Sequence, residues 1–590
     1  MLKEVDERQA IEALSKSDLP SACDKARELV AARPTDEDAA RLLREMVERA
    51  AAAAPPPRPL PQVAPAVGEA KELMSAGQFE RAEILLRDHL RTARHDPPAM
   101  HLMAEIAAHC DLQEDAERIL RHSAAIHSES AEAWASLGMT MYRIACLKDY
   151  PNFLTESLAA LDEALKREPD YEDALAFKAA ILVQTRALDQ AREAYEALFK
   201  INQNVFYWVH YGYVMKTVGE FGRSVAAYRT AVALDPANGP AWWGLANLKV
   251  ARFFGDDIDR MKAALERQDV SNSSKVDIGF ALAKALDQAK DFELAAATLR
   301  EANDLRSAID PPDPAVEKPH APFVERFYTR EFMDSRRGWG DPSPDPIFIL
   351  GMPRSGSTLV EQILSSHSMI EGTEELFVLL QISSEIASAH PGLESAEIVS
   401  NMGPAELAGL GGRYIELTRR YRQTERPLFT DKNPANWQYT GLILNMLPNA
   451  KIIDARRNPM DCCFSNYWQH FQAGAHFTYS LREVGLYYAD YVRTMRHLDK
   501  VAPGRVHRVI HDDMVDNPER EIRRLLDHIG VPFEESCLSF HETERPVHTP
   551  SSEQVRQPIN RSGFGKWRNY EPWLGELKEG LGDALENWRD

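Results

Sequence analysis

The chain has 590 residues, with 69 Lys and Arg against 90 Asp and Glu, a formal net charge of −21. That length suits about three to four domain-sized units, or fewer if one is a repeat array. The negative balance excludes wholesale binding to nucleic acid or to an anionic membrane, so an anion site must be a local basic pocket.

The amino terminus, Met1-Leu-Lys-Glu-Val-Asp-Glu-Arg8, is charged from the start and has no apolar h-region. No apolar run along the chain reaches the about 18 residues of a membrane span. Six cysteines (Cys23, Cys110, Cys146, Cys462, Cys463, Cys537) keep no C-x-x-C or regular spacing, which argues against a disulfide framework or a zinc site. A soluble, cytoplasmic protein that needs no metal is expected.

Residues 1–310 are rich in Ala, Leu, Glu and Arg and almost free of strand signals, so helices are expected throughout. Residues 1–50 read as a separate helical piece, followed by a proline-rich linker over 51–66. From 67 to 308 a period emerges: Met100-x2-Met103-Ala104, Trp134-x2-Leu137-Gly138, Leu175-x2-Lys178-Ala179, Trp208-x2-Tyr211-Gly212 and Trp242-x2-Leu245-Ala246, at intervals of 34, 41, 33 and 34 residues. Small residues keep step in the second helices at Ala82, Ala116, Ala191 and Ser224, and prolines at 169 and 236 close two units. The longer interval fits an insertion at Leu147–Phe153. This pattern resembles tetratricopeptide repeats, which stack into a solenoid with a concave surface. Such a surface either binds an extended peptide or a protein, or only supports a neighbouring domain or forms a homo-oligomer. The stripe of Trp134, Trp208, Trp242 and Trp243 is read as repeat core. A second linker, 309–345, is expected to hold a short helix from Ala321 to Met333.

Residues 346–590 alternate strand-like runs (Ile347–Leu350, Lys451–Asp454, Val506–Ile510) with helical stretches, which predicts an α/β domain with a parallel sheet covered on both faces. The first run leads into Gly351-Met-Pro-Arg354-Ser355-Gly356-Ser357-Thr358 and then into Leu359, Val360, Ile363 and Leu364 at helical spacing. Strand, glycine loop and helix start together form a cradle for phosphate oxygens. Gly351, Gly356 and Thr358 match a nucleotide triphosphatase P-loop, but Ser357 stands where that loop has its lysine, and Arg354 is the cation. A guanidinium without that lysine suits a phosphosulfate or another anion better than a magnesium triphosphate.

Pro353-Arg-Ser-Gly-Ser-Thr358 resembles the 5′-phosphosulfate-binding loop of sulfotransferases. With Ser366-His367 and Glu374-Glu375 it looks most like tyrosylprotein sulfotransferases. The resemblance implies a domain that uses 3′-phosphoadenosine-5′-phosphosulfate (PAPS), with a sulfuryl group moving in line to an acceptor hydroxyl. It implies that Arg354 to Thr358 hold the 5′-phosphosulfate and that Glu375 is the base. A glutamate, ordinarily near ~4.3, is a weak base for a phenol near ~10, so such a proton moves late in the transfer. Phe429-Thr-Asp-Lys432-Asn-Pro434 resembles the segment whose lysine stabilises the leaving oxygen. Arg457 and Ser465, eight residues apart across a strand-to-helix turn, match the family's 3′-phosphate grip. His511 stands where the family has a tyrosine beside the adenine. Thr549–Lys566 resembles a closing carboxy-terminal loop, with Ser551 near the sulfate and Lys566 near the 3′-phosphate.

One departure concerns the acceptor. The tyrosylprotein family places arginines after the glutamate pair to read acidic residues around its tyrosine, whereas Leu376-Phe-Val-Leu-Leu380 is apolar. Acceptor class thus stays open between a peptide tyrosine, a saccharide and a small alcohol. The alternatives to a sulfotransferase are an atypical P-loop nucleotide triphosphatase and a helical scaffold with a degenerate nucleotide-binding domain.

Overall fold

The computed structural model describes the chain except residues 1, 55–62, 149–150, 312–317, 374, 472–473, 544–553 and 562. It divides into two compact units, Met1–Ala251 and Arg252–Asp590. Among the described residues no helix is long and apolar enough to cross a membrane.

In the first unit, antiparallel helix pairs follow the sequence period. Pro65–Ser75 pairs with Phe79–Thr92, Pro97–His109 with Gln113–Ile126, and Ala131–Lys148 with Pro151–Arg167. Glu172–Gln184 then pairs with Leu188–Ile201, and Val205–Thr217 with Phe221–Leu234. The small residues expected in the second helices are fully buried, because close helix approach leaves room for little more than a methyl or hydroxymethyl group. Ser224 Oγ donates to the Gly212 carbonyl at 2.7 Å, and Ser157 repeats the contact with Gly138 at 2.6 Å. The long unit absorbs its extra residues in its helices, 18 and 17 residues against 13 and 14 in the next pair. Trp208, Trp242 and Trp243 are buried; Trp208 stacks on Phe199 at 3.7 Å, while Trp134 is half-buried and donates to the Ser128 carbonyl.

The amino-terminal helices Leu19–Ala32 and Glu37–Ala53 pack on Phe221–Leu234, far along the chain. Arg27 lies over the Trp208 ring at 4.4 Å and reaches Thr230 Oγ1 at 3.4 Å. Gly222 meets the Ala31 carbonyl so closely that a Cβ there would collide with it.

In the second unit, helices Gly255–Glu266, Asn272–Gln288 and Phe292–Ile309 precede the sheet. The predicted helix from Ala321 to Met333 is two short ones, Ala321–Phe327 and Arg330–Ser335. Thr329 interrupts them and caps the second through Phe332 N–H. Five parallel strands follow: β1 (Pro346–Gly351), β2 (Ile370–Gly372), β3 (Leu428–Lys432), β4 (Lys451–Arg456) and β5 (Val506–Ile510), in spatial order β2-β3-β1-β4-β5. Parallel neighbours need crossover connections, and the apolar runs are buried on both faces as that arrangement demands. On one face Ile347, Ile349, Ile453 and Val509 join Ile363 and Leu364 of helix Ser357–Ser365 and Ile522 and Leu525 of helix Pro518–Ile529.

Candidate active site

The strand register builds the site. Ile349 pairs with Lys432, Gly351 with Ala455 and Arg456 with Ile510, so the carboxyl ends of β3, β1, β4 and β5 lie side by side. β1 is central: the chain crosses from β1 to β2 on one side and later from β3 to β4 on the other, and such a switch point is where open α/β sheets bind ligands.

The loop after β1 has Arg354 at φ 63 and Gly356 at φ 100, both left-handed. Successive turns of this kind aim backbone N–H groups at one point, and helix Ser357–Ser365 adds its positive end. A left-handed arginine carries a strain that is concentrated at functional sites. Gly356 cannot be replaced without cost: a Cβ would come within 2.6 Å of His511 Cδ2. Ser357 and Thr358 are buried in the first turn, and Ser355 Oγ is buried with no hydrogen-bond partner among the described residues. An anion in the loop would satisfy that hydroxyl.

Arg354, Arg457 and Ser465 converge. Arg354 Nε approaches Ser465 Oγ at 3.4 Å and its Nη2 approaches Gln554 Oε1 at 3.4 Å. Arg457 donates through Nη1 to the Arg354 carbonyl at 3.3 Å and through Nη2 to the Gly563 carbonyl at 2.5 Å. Burial, followed by the charge of Arg457, pulls the Arg354 guanidinium down to about 10. Asp461 Oδ1, 3.9 Å from Arg457 Nη2, offsets part of the repulsion between the two cations, and an anion held by both would offset more. The neighbouring Arg456 is turned away. It is fully buried and bonds Asp454 Oδ2 at 2.6 Å and the carbonyls of Trp588 and Asp590, tying down the end of the chain.

Lys432, at the end of β3, donates from Nζ to Glu375 Oε1 at 2.5 Å. The lysine side chain is 1% exposed and the glutamate 41%, so one is fixed while the other faces solvent. Asn433 steadies the pair by donating to the Leu376 carbonyl at 3.1 Å. Beneath them lies a carboxyl that sequence reasoning did not single out. Asp431 accepts from Tyr414 OH at 2.8 Å and from Asn436 Nδ2 at 3.2 Å, and burial pushes it up from 3.8 to about 7. Next to Glu375, Phe377 is 62% exposed and Leu380 46%. No Lys or Arg occurs from 376 to 412.

His511 begins helix His511–Asp516, and its ring stacks on Phe564 with centroids 5.5 Å apart. Burial, helped by the Arg457 charge, draws it down to about 3, so it is a neutral ring. Lys566 Nζ pairs with Asp287 Oδ2 at 2.8 Å and sits over Trp468 at 4.2 Å. Ser551 and Glu374 lie outside the described residues.

The family profile described as Sulfotransferase family matches residues 346–535, which include both arginine grips and the Lys432–Glu375 pair. An uncharacterized protein of Aquifex aeolicus (strain VF5) is 29% identical over 542 residues, 88% of this chain and 69% of that one. A protein-tyrosine sulfotransferase of Drosophila melanogaster is 23% identical over 275 residues, 44% of this chain and 53% of that protein; the chain thus spans about half the length of this relative. Among solved structures, the sulfotransferase domain from the Synechococcus PCC 7002 olefin synthase is 22% identical, covering 40% of this chain and 90% of that one, with a TM-score of 0.29. The carboxy-terminal part of this chain is therefore a sulfotransferase domain, an enzyme domain, that follows an array of helical repeats.

Proposed function

We propose that the domain transfers a sulfuryl group from PAPS to an acceptor hydroxyl. The observation that carries this is the meeting of the Arg354 and Arg457 guanidiniums beside a left-handed loop in which Ser355 Oγ is buried without a hydrogen-bond partner among the described residues. The loop from Arg354 to Thr358 would take the 5′-phosphosulfate, and Arg457 with Ser465 the 3′-phosphate. PAPS supplies an activated sulfuryl group with a good leaving group. The acceptor oxygen forms the new O–S bond as the S–O bond to the 5′-phosphate breaks. Glu375 takes the hydroxyl proton, and Lys432 meets the negative charge left on the departing oxygen.

The acceptor side is apolar where it meets the base. Exposed Phe377 and Leu380, with no cation over the following stretch, favour a hydroxyl in apolar surroundings over a tyrosine flanked by acidic residues. We assign to the repeat array the binding of the acceptor or of a protein partner.

Calorimetry with adenosine 3′,5′-bisphosphate against magnesium ATP tests the donor assignment. The bisphosphate should bind, and tighter binding of ATP would refute it. Incubation of the protein and a cell lysate with 35S-labelled PAPS then tests transfer, which should disappear in Glu375→Ala.

A further inference from the structure

The helical hairpin formed by Asn272–Gln288 and Phe292–Ile309 ends in a turn that touches the segment closing over Arg457. Two residues flanking that turn make the contact. Asp287 pairs through Oδ2 with Lys566 Nζ at 2.8 Å and accepts through Oδ1 from Tyr570 OH at 2.6 Å. Phe292 meets the Tyr570 ring edge-on at 5.5 Å. Tyr570 is buried and its ring also packs on Phe464 at 4.9 Å and Trp468 at 5.1 Å, both from the region that carries Ser465.

From there the chain runs back to the arginines within a few residues. Gly565 N–H donates to Asp461 Oδ1 at 2.8 Å, Phe564 stacks on His511, and the Gly563 carbonyl accepts from Arg457 Nη2. The Gly563 carbonyl thus joins the Arg354 carbonyl and Asp461 in orienting Arg457, and residues 563–565 are held on one side by Asp461 and on the other by Lys566 and Tyr570. A short glycine-bearing segment orders itself poorly, so its geometry depends on those two anchors.

We propose that Asp287 is a positioning residue for the donor site, holding residues 563–570 so that Arg457 and His511 are set for the adenosine 3′-phosphate end. The proposal rests on the donor assignment made above. Asp287 touches neither reacting atom; it acts through Lys566 and Tyr570. The helical hairpin is then part of the enzyme's working structure, and binding of the donor and order in residues 563–570 are linked.

The test uses the full chain and the variants Asp287→Asn and Asp287→Glu. Losing a charge-assisted pair should raise the KM for PAPS and the Kd for adenosine 3′,5′-bisphosphate about tenfold, with kcat within about twofold. Asp287→Glu should recover part of the loss. Hydrogen exchange gives a readout that needs no donor: amides of 563–573 should exchange faster in Asp287→Asn, while those of β1 and β4 stay as in the parent. A lower melting temperature with unchanged exchange at 563–573 would overturn the proposal, because Asp287 would then serve only overall stability. A parent protein that binds no bisphosphate refutes the donor assignment, and exchange at 563–573 still decides whether Asp287 orders that segment.

Discussion

Replacing Arg457 by methionine separates a binding arginine from a structural one. The guanidinium makes two hydrogen bonds to carbonyls, Arg354 at 3.3 Å and Gly563 at 2.5 Å, and its charge repels Arg354. Removing it loses those bonds and takes the cation from Asp461, whose Oδ1 is 3.9 Å from Arg457 Nη2, but it relieves the repulsion and methionine keeps the stem buried, so the losses are partly offset in the free protein. With an anion bound the signs agree: two charge-assisted contacts to a phosphate disappear, about 3 kcal/mol and so a roughly 150-fold weaker complex. Calorimetry with adenosine 3′,5′-bisphosphate measures the affinity, and thermal melting of the free protein measures stability. The expected outcome is a melting temperature within about 3 °C of the parent and lost affinity. Bisphosphate binding within about threefold of the parent would refute the reasoning, whatever the melting temperature.

Three other outcomes follow from the site. Glu375→Gln should lower the single-turnover rate of 35S transfer by about 10²–10⁴-fold with bisphosphate affinity unchanged, since the residue handles the acceptor proton and does not hold the donor. Asp431 gives a pH dependence of stability. The unfolded carboxyl loses its proton near 3.8, the folded one near 7, so the native state binds more protons in between and stability falls as pH rises from 3.8 to about 7. Urea midpoints at pH 5 and pH 8 should therefore differ less in Asp431→Asn than in the parent. Phe377→Arg should favour an acidic tyrosine peptide over an uncharged phenol by about fivefold in competing 35S labelling, the effect of one added cation beside the acceptor.

Much of this was legible because it is local. The apolar run from Ile347 to Leu350 and the helical spacing after Thr358 state strand, loop and helix without outside help, and the repeat period needs only counting. β2 and β3 were harder: the first has three residues, and the second ends in Thr-Asp-Lys, which reads as a turn until the sheet buries it. The Lys432–Glu375 bond follows from the register of β2 with β3, a long-range fact that no spacing carries. Lys566 shows the same limit. The family resemblance implies a place for it near the 3′-phosphate, and the carboxylate that it pairs with in space is Asp287, 279 positions earlier. A signal for Asp431 was present, an acid between a threonine and a lysine in an apolar context, but only burial gives it meaning.

The seating of helices Leu19–Ala32 and Glu37–Ala53 on Phe221–Leu234 has a practical outcome for anyone trimming this polypeptide. The proline-rich stretch after residue 54 invites a cut, yet removing what precedes it would bare the stripe of Gly222, Ala226 and Thr230, small side chains spaced to receive another helix. A shortened version begun there would expose this close-packed face to water and would be prone to clump. The visible seam in the text of the protein is not a seam in its interior.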